Sequence, residues 1–400
     1  MSRSPTLRGE AEQRRMNAPA PFAVAADFVF DGAELHRDCA VVVDPPHIAQ
    51  ILPRQALPSA LPVTPLPEGT WLAPGFIDVQ VNGGGDVLFN DMPTPEGIAA
   101  IVAAHRRFGT TALLPTLISD TADKMREAAA AVATMVATEP GVLGIHFEGP
   151  FLSPERAGVH DPARFRTPDP SDLEFLTAPT NGVVLVTLAP ERVPAGFVAR
   201  LAEAGVRVAL GHSTATYAET RAAIAEGLSG FTHLFNAMRP LASREPGPIP
   251  AALEDPRVWF SLIVDGHHVA PPMLRLALRG LGQPMLVTDA MPPVGGSRGD
   301  FTLCGRPVTT RDGHCTTADG TLAGAALDMA TAVRNCVSLL DLPLTEALRL
   351  ASAAPAGFLG LADRLGRIAP GCRADLVALD PDAVRVLAIW VAGRRFATSD

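Results

Sequence analysis

Glu148, His212, His233 and Asp289 each stand at the end of an apolar, strand-like run, in "GIHFE", "VRVALGH", "FTH" and "MLVTD". One carboxylate and two imidazoles form a plausible three-ligand set for a catalytic zinc, with a coordination position left for water. A metal in such a set lowers the pKa of water from about 16 towards 7 and polarises a carbonyl. Asp289, at the last run, is then the candidate general base. It need only accept a proton briefly and deliver it to a leaving group, the relay that amide hydrolysis requires. Asp265, His267 and His268 end a further run, "LIVDGHH". In "PGFIDVQVNGGGD" the polar residues Asp78, Gln80 and Asn82 alternate, so one face of a strand carries all three.

Elements that could gather these residues recur along the chain. Eight apolar runs end in a polar residue or glycine: "WLAPGFIDVQV", "TALLPTLIS", "VLGIHFEGP", "VVLVTLAP", "VRVALGHS", "FTHLFNA", "VWFSLIVDGHH" and "MLVTDAM". Alanine-rich helical segments lie between them, among them "PEGIAAIVAAHRRF" and "ADKMREAAAAVATMVA". Strand and helix in alternation predict a parallel sheet, and eight repeats predict closure into a (β/α)8 barrel of the TIM type. An open doubly wound sheet would need a phosphate-binding GxGxxG after its first strand, and "NGGGD" does not supply it. In a barrel the strand C-termini share one mouth, where the candidate residues would meet.

Around the barrel, over residues 71–360, the sequence predicts three further parts. Residues 1–20 read as a polar, flexible tail in which Met16 is an alternative start, and they lack the apolar centre of a signal peptide. Residues 21–70 and 361–400 each hold too few strands for a core of their own, so the simplest packing joins both chain ends in one small β domain, a sandwich. The glycine- and threonine-rich segment 295–321 interrupts the eighth βα unit and reads as an inserted hairpin or lid.

Composition excludes several functions. The 400 residues are 47% hydrophobic with a net charge of −9, an ordinary acidic balance without the basic stripe that follows a nucleic-acid backbone. No apolar run approaches the roughly 20 residues of a membrane span. Five cysteines lie scattered without metal-knuckle spacing, which suits reduced thiols and a cytoplasmic protein.

Taken together, "PGFIDVQVNG", "GIHFEGPFLSPERAGVHDP", "LGHSTATYAE", "FTHLFNAMRPLASREPG", "LIVDGHHV", "LVTDAM" and "TLAGAALDM" resemble the N-acetylglucosamine-6-phosphate deacetylases of the amidohydrolase superfamily. The resemblance implies metal ligation by Glu148, His212 and His233, proton transfer by Asp289, and contact of His160 with the acetyl carbonyl. It further implies that Val159, Asn236, Ala237, Arg244, His268, Leu322, Ala323 and Gly324 meet the substrate. Arg244 would reach the phosphate in a neighbouring subunit's site, which implies a homodimer. Some members hold a second metal with His-x-His at the first strand, where this chain has Gln80 and Asn82, and neutral amides are poor zinc ligands. One divalent ion per chain is therefore expected, zinc first, with iron, manganese or cobalt also compatible with the ligand set. The implied reaction frees acetate from N-acetyl-D-glucosamine 6-phosphate in amino sugar catabolism. The alternatives are the galactosamine epimer, another amidohydrolase such as a D-aminoacylase, or a non-catalytic sugar-phosphate sensor.

Overall fold

The computed structural model describes residues 20–398. All of the expected tail except Ala20, together with the choice between Met1 and Met16, lies outside the described residues. Eight parallel strands follow one another in chain order: Phe76–Val81, Thr110–Ile118, Gly144–Glu148, Val183–Leu188, Arg207–Leu210, Gly230–Phe231, Trp259–Leu262 and Gln283–Leu286. Just past the eighth strand, Ala290 pairs in parallel with Val81 of the first and brings the barrel close to closure. Every residue of Phe76–Val81 and Thr110–Ile118 is buried. This is the expected outcome for parallel strands covered on both faces, and it explains their near-continuous apolar sequence.

The helices between strands begin at recognisable caps. The Thr94 side chain accepts from the Gly97 N–H ahead of Pro95–Arg106, and Thr216 forms a reciprocal capping box with Glu219 on Tyr217–Ala225. Asp328 caps Met329–Leu340 after the eighth strand.

Two runs that read as single strands are divided. Trp71–Pro74 pairs with Phe22–Phe30 and Leu376–Asp380 in a separate sheet, whereas Phe76–Val81 opens the barrel. Gly75 lies between them, and a Cβ there would fall 2.2 Å from Thr111 Oγ1, so glycine is what lets the chain pass at this point. Of "FTHLFNA" only its first residue is strand, in the two-residue strand Gly230–Phe231. His233, Phe235 and Ala237 then take positive φ values of 34°, 80° and 49°, which fold the chain back over the barrel mouth.

Both ends of the described chain share the second sheet, whose order is Arg394–Phe396, Arg385–Val391, Leu376–Asp380, Trp71–Pro74, Phe22–Phe30, Leu35–Asp44 and His47–Pro53, with Val63–Pro65 alongside Phe22–Phe30. Its main core gathers Val24, Val29, Val41, Ile48, Leu72 and Trp390. The insert after the eighth strand is larger than a hairpin. Phe301–Leu303, Arg306–Arg311, His314–Thr317 and Leu322–Ala325 form a four-stranded antiparallel sheet. The tight turns between its strands contain Gly305, Gly313 and Gly320, all with positive φ.

Candidate active site

Glu148 closes the third strand, while His212 and His233 follow the fifth and sixth. Glu148 Oε1 lies 3.1 Å from His212 Nε2 and 2.9 Å from His233 Nε2, and the two nitrogens are 3.2 Å apart. All three side chains are buried. The His212 Nδ1 hydrogen donates to the Arg156 carbonyl at 2.8 Å, which orients the ring with Nε2 facing the cluster. One carboxylate oxygen and two imidazole nitrogens thus converge on a single point. That donor set suits a divalent cation, and among the described residues it is the one group of this kind.

Asp289 faces this cluster from beyond the eighth strand. Its Oδ1 accepts from Gln80 Nε2 at 3.1 Å and from Asn82 Nδ2 at 2.6 Å. The alternating amides of the first strand therefore grip the carboxylate opposite them. Burial, reinforced by the charge of Glu148, pushes the Asp289 carboxyl up to about 6. His212, His233 and Asp289 all have left-handed backbones, with φ of 48°, 34° and 52°. Such strain costs on the order of 1–3 kcal/mol per residue and is concentrated at functional sites.

A cavity of about 280 Å³ opens over the cluster. Of the residues singled out in the sequence, it is lined by Glu148, His212, His233, Asp289, Asn82, Val159, His160, Asn236, Ala237, His268, Leu322 and Gly324. His268 donates from Nδ1 to Asp265 Oδ2 at 2.6 Å, so Asp265 holds this ring without itself lining the cavity.

Besides Gln80 and Asp265, which hold Asp289 and His268 from behind, four residues lie elsewhere. Ala323 is turned away from the cavity into the insert's own core with Leu303, Val308 and Cys315, because alternate residues of a strand face opposite ways. Arg244 is exposed on the loop after the sixth strand and does not line this cavity. His267 stacks on His314 of the insert. Asp78 sits deeper in the barrel against Thr288, where burial pushes its carboxyl up to about 7.

Arg156, Ile118, Ile263 and Met291 also line the cavity, and sequence reasoning passed over them. Ser119 was passed over as well; it does not line the cavity, but its Oγ lies 2.9 Å from His160 Nδ1. Arg156 lies inside the quoted stretch "PFLSPERAGVHDP", and Ser119 ends a predicted strand, so their positions carried a signal although their chemistry drew none. A larger cavity of about 890 Å³ lies at the opposite, N-terminal ends of the strands, bordered by Leu143, Val183 and Arg207 and by no carboxylate side chain.

Barrel, cluster and mouth define a metal-dependent hydrolase, and the chain belongs to the amidohydrolase family, whose model matches residues 71–396. More particular relatives share most of its length. N-acetylgalactosamine-6-phosphate deacetylase of Shewanella sp. (strain ANA-3) is 45% identical over 336 residues, 82% of this chain and 83% of the relative. N-acetylglucosamine-6-phosphate deacetylase of Haemophilus influenzae is 32% identical over 366 residues, 90% of this chain and 96% of the relative. The crystal structure of N-acetylglucosamine-6-phosphate deacetylase from Pasteurella multocida superposes with a TM-score of 0.91 at 35% identity, covering 94% of this chain and all of that one. The Mycobacterium smegmatis enzyme of that name gives 0.87 at 37% identity, with 94% and 100% covered.

Proposed function

We propose that this chain is an N-acetylglucosamine-6-phosphate deacetylase, hydrolysing the acetamide of N-acetyl-D-glucosamine 6-phosphate to D-glucosamine 6-phosphate and acetate. The observation that carries this reading is the convergence of Glu148, His212 and His233 opposite Asp289 at the floor of one cavity. A single divalent ion, zinc in the first place, would be held by those three ligands and would supply the positive charge that acidifies water and polarises the acetyl carbonyl. Asp289 takes the proton from the attacking water and passes it to the departing nitrogen. Its raised carboxyl suits that double task, because a base near the working pH both accepts and returns a proton. Gln80 and Asn82 keep one Asp289 oxygen engaged, which fixes the direction of the other. His160 lies across the cavity from Glu148, 3.9 Å away, in reach of the acetyl oxygen. Asn236, Ala237 and His268 meet the sugar phosphate, and Val159, Leu322 and Gly324 complete the wall.

The same reading makes the protein a cytoplasmic homodimer in which Arg244 serves the neighbouring site. No helix among the described residues is long and apolar enough to cross a membrane. A second reading, the galactosamine epimer as substrate, is favoured by the relatives of that name at 45% and 38% identity. The epimers differ in one hydroxyl, so kcat/KM measured on both 6-phosphates decides between them. A higher value on the glucosamine substrate supports the main reading, and the reverse order replaces it.

A further inference from the structure

Ser119 follows directly on the second barrel strand and is buried. Its hydroxyl lies 2.9 Å from His160 Nδ1, and its backbone N–H donates to the same nitrogen at 3.4 Å. A backbone N–H has no acceptor capacity, so Nδ1 must offer it a lone pair. A hydrogen on Nδ1 would instead set two donors head to head. The hydroxyl hydrogen accordingly goes to Nδ1 at 2.9 Å rather than to the Glu148 carbonyl at 3.4 Å. The ring proton is then left on Nε2, the nitrogen on the side of Glu148.

We infer that Ser119 is a positioning residue that holds His160 in its Nε2–H tautomer, so that the ring offers a hydrogen-bond donor to the acetyl oxygen. This role rests on the deacetylase reading above. A lone pair on Nδ1 itself means a neutral ring, because a protonated imidazole donates from both nitrogens. A neutral imidazole whose tautomer is fixed polarises a carbonyl by donating, without carrying a proton that the reaction would have to remove. The seat depends on Gly149. A Cβ on that residue would fall 2.2 Å from Ser119 Oγ, so a bare backbone beside Glu148 is what admits the serine.

The test uses zinc-loaded full-length protein with ¹⁵N-labelled histidine, and the His160 signals are assigned by their loss in H160Q. Wild type should show a protonated Nε2 and a bare Nδ1, and S119A should show a mixture of tautomers. In kinetics S119A should lose about tenfold to a hundredfold in kcat, less than the removal of a donor itself, while KM stays within about twofold. H160Q, whose amide nitrogen falls near the Nε2 position, should keep more kcat than H160N, whose amide falls near Nδ1. A protonated Nδ1 in wild type overturns the inference, as does S119A with an unchanged tautomer and unchanged kcat. The spectrum is read on resting protein. If neither sugar phosphate is turned over, the deacetylase reading falls while the tautomer is still decided.

Discussion

In the proposed mechanism Asp289 is the residue on which the chemistry turns, and its contacts account for two polar residues at the end of the first strand. Gln80 and Asn82 stand two residues apart at the end of the first strand, and their amide hydrogens converge on one Asp289 oxygen. Asp289→Asn should fold and retain the metal, since the amide fills the same space, but lose about 10²–10⁴-fold in turnover. Near-normal turnover in that variant would assign the proton transfer to another group. Asp78, two positions earlier, makes a separate prediction about stability. Burial raises its carboxyl to about 7, above the unfolded value of 3.8, so the folded state holds a proton that the unfolded state has lost. The resulting stabilisation is complete below pH 3.8 and disappears as pH rises through about 7. Urea titrations of Asp78→Asn, which carries no such proton, should therefore shift in favour of the variant between pH 5 and pH 8 relative to wild type. A constant difference across that range would show that Asp78 stays ionised in the fold.

At the level of elements, two side chains hold the root of the insert, and Arg107 donates to the Gly295 carbonyl at 3.0 Å. The Asp86 carboxylate accepts the backbone N–H groups of Ser297 and Arg298 and the Ser297 hydroxyl, which ties the start of the insert to the loop after the first strand. Asp86→Ala should raise hydrogen exchange across residues 301–325 while leaving the strand Thr110–Ile118 protected. Equal exchange in both proteins would place the anchor elsewhere. The eight barrel strands were legible because a strand buried on both faces must be apolar, and the mouth was legible because several runs end in Glu148, His212, His233 or Asp289. The division at Gly75 was not, since it depends on a close approach to Thr111 that no local pattern records. Glu148, His212 and His233 were readable from residue type and position. The contact of Ser119 with His160 joins residues 41 apart in sequence and exists only once the loop after the third strand folds back over the second. That Leu322 and Gly324 line the cavity while the Ala323 side chain is buried in the insert was not legible either, since within "TLAGA" only the register of the insert's last strand tells which residues face the cavity.

For the whole molecule the main tension is electrostatic, because a chain of net charge −9 must hold a substrate with nearly two negative charges. Arginine suits phosphate through its planar, forked donors. Arg244 is exposed and does not line the cavity, and its service to a neighbouring subunit is part of the proposal. Arg244→Ala should weaken binding by about 1.5–3 kcal/mol, read as a rise in KM of about tenfold to a hundredfold for the phosphorylated sugar. The unphosphorylated sugar should be almost unaffected. Equal losses on both substrates, or full activity in a protein that light scattering shows to be monomeric, would remove the shared site. The central claim is metal-dependent deacetylation at the Glu148, His212 and His233 cluster. It is tested most directly by measuring acetate released from N-acetyl-D-glucosamine 6-phosphate by protein stripped of metal and then reloaded with one equivalent of zinc. Acetate should appear only after reloading, in step with metal bound, and His212→Ala and His233→Ala should lose both ion and activity. Release by the stripped protein at the reloaded rate, or no release with one equivalent bound, would contradict the account.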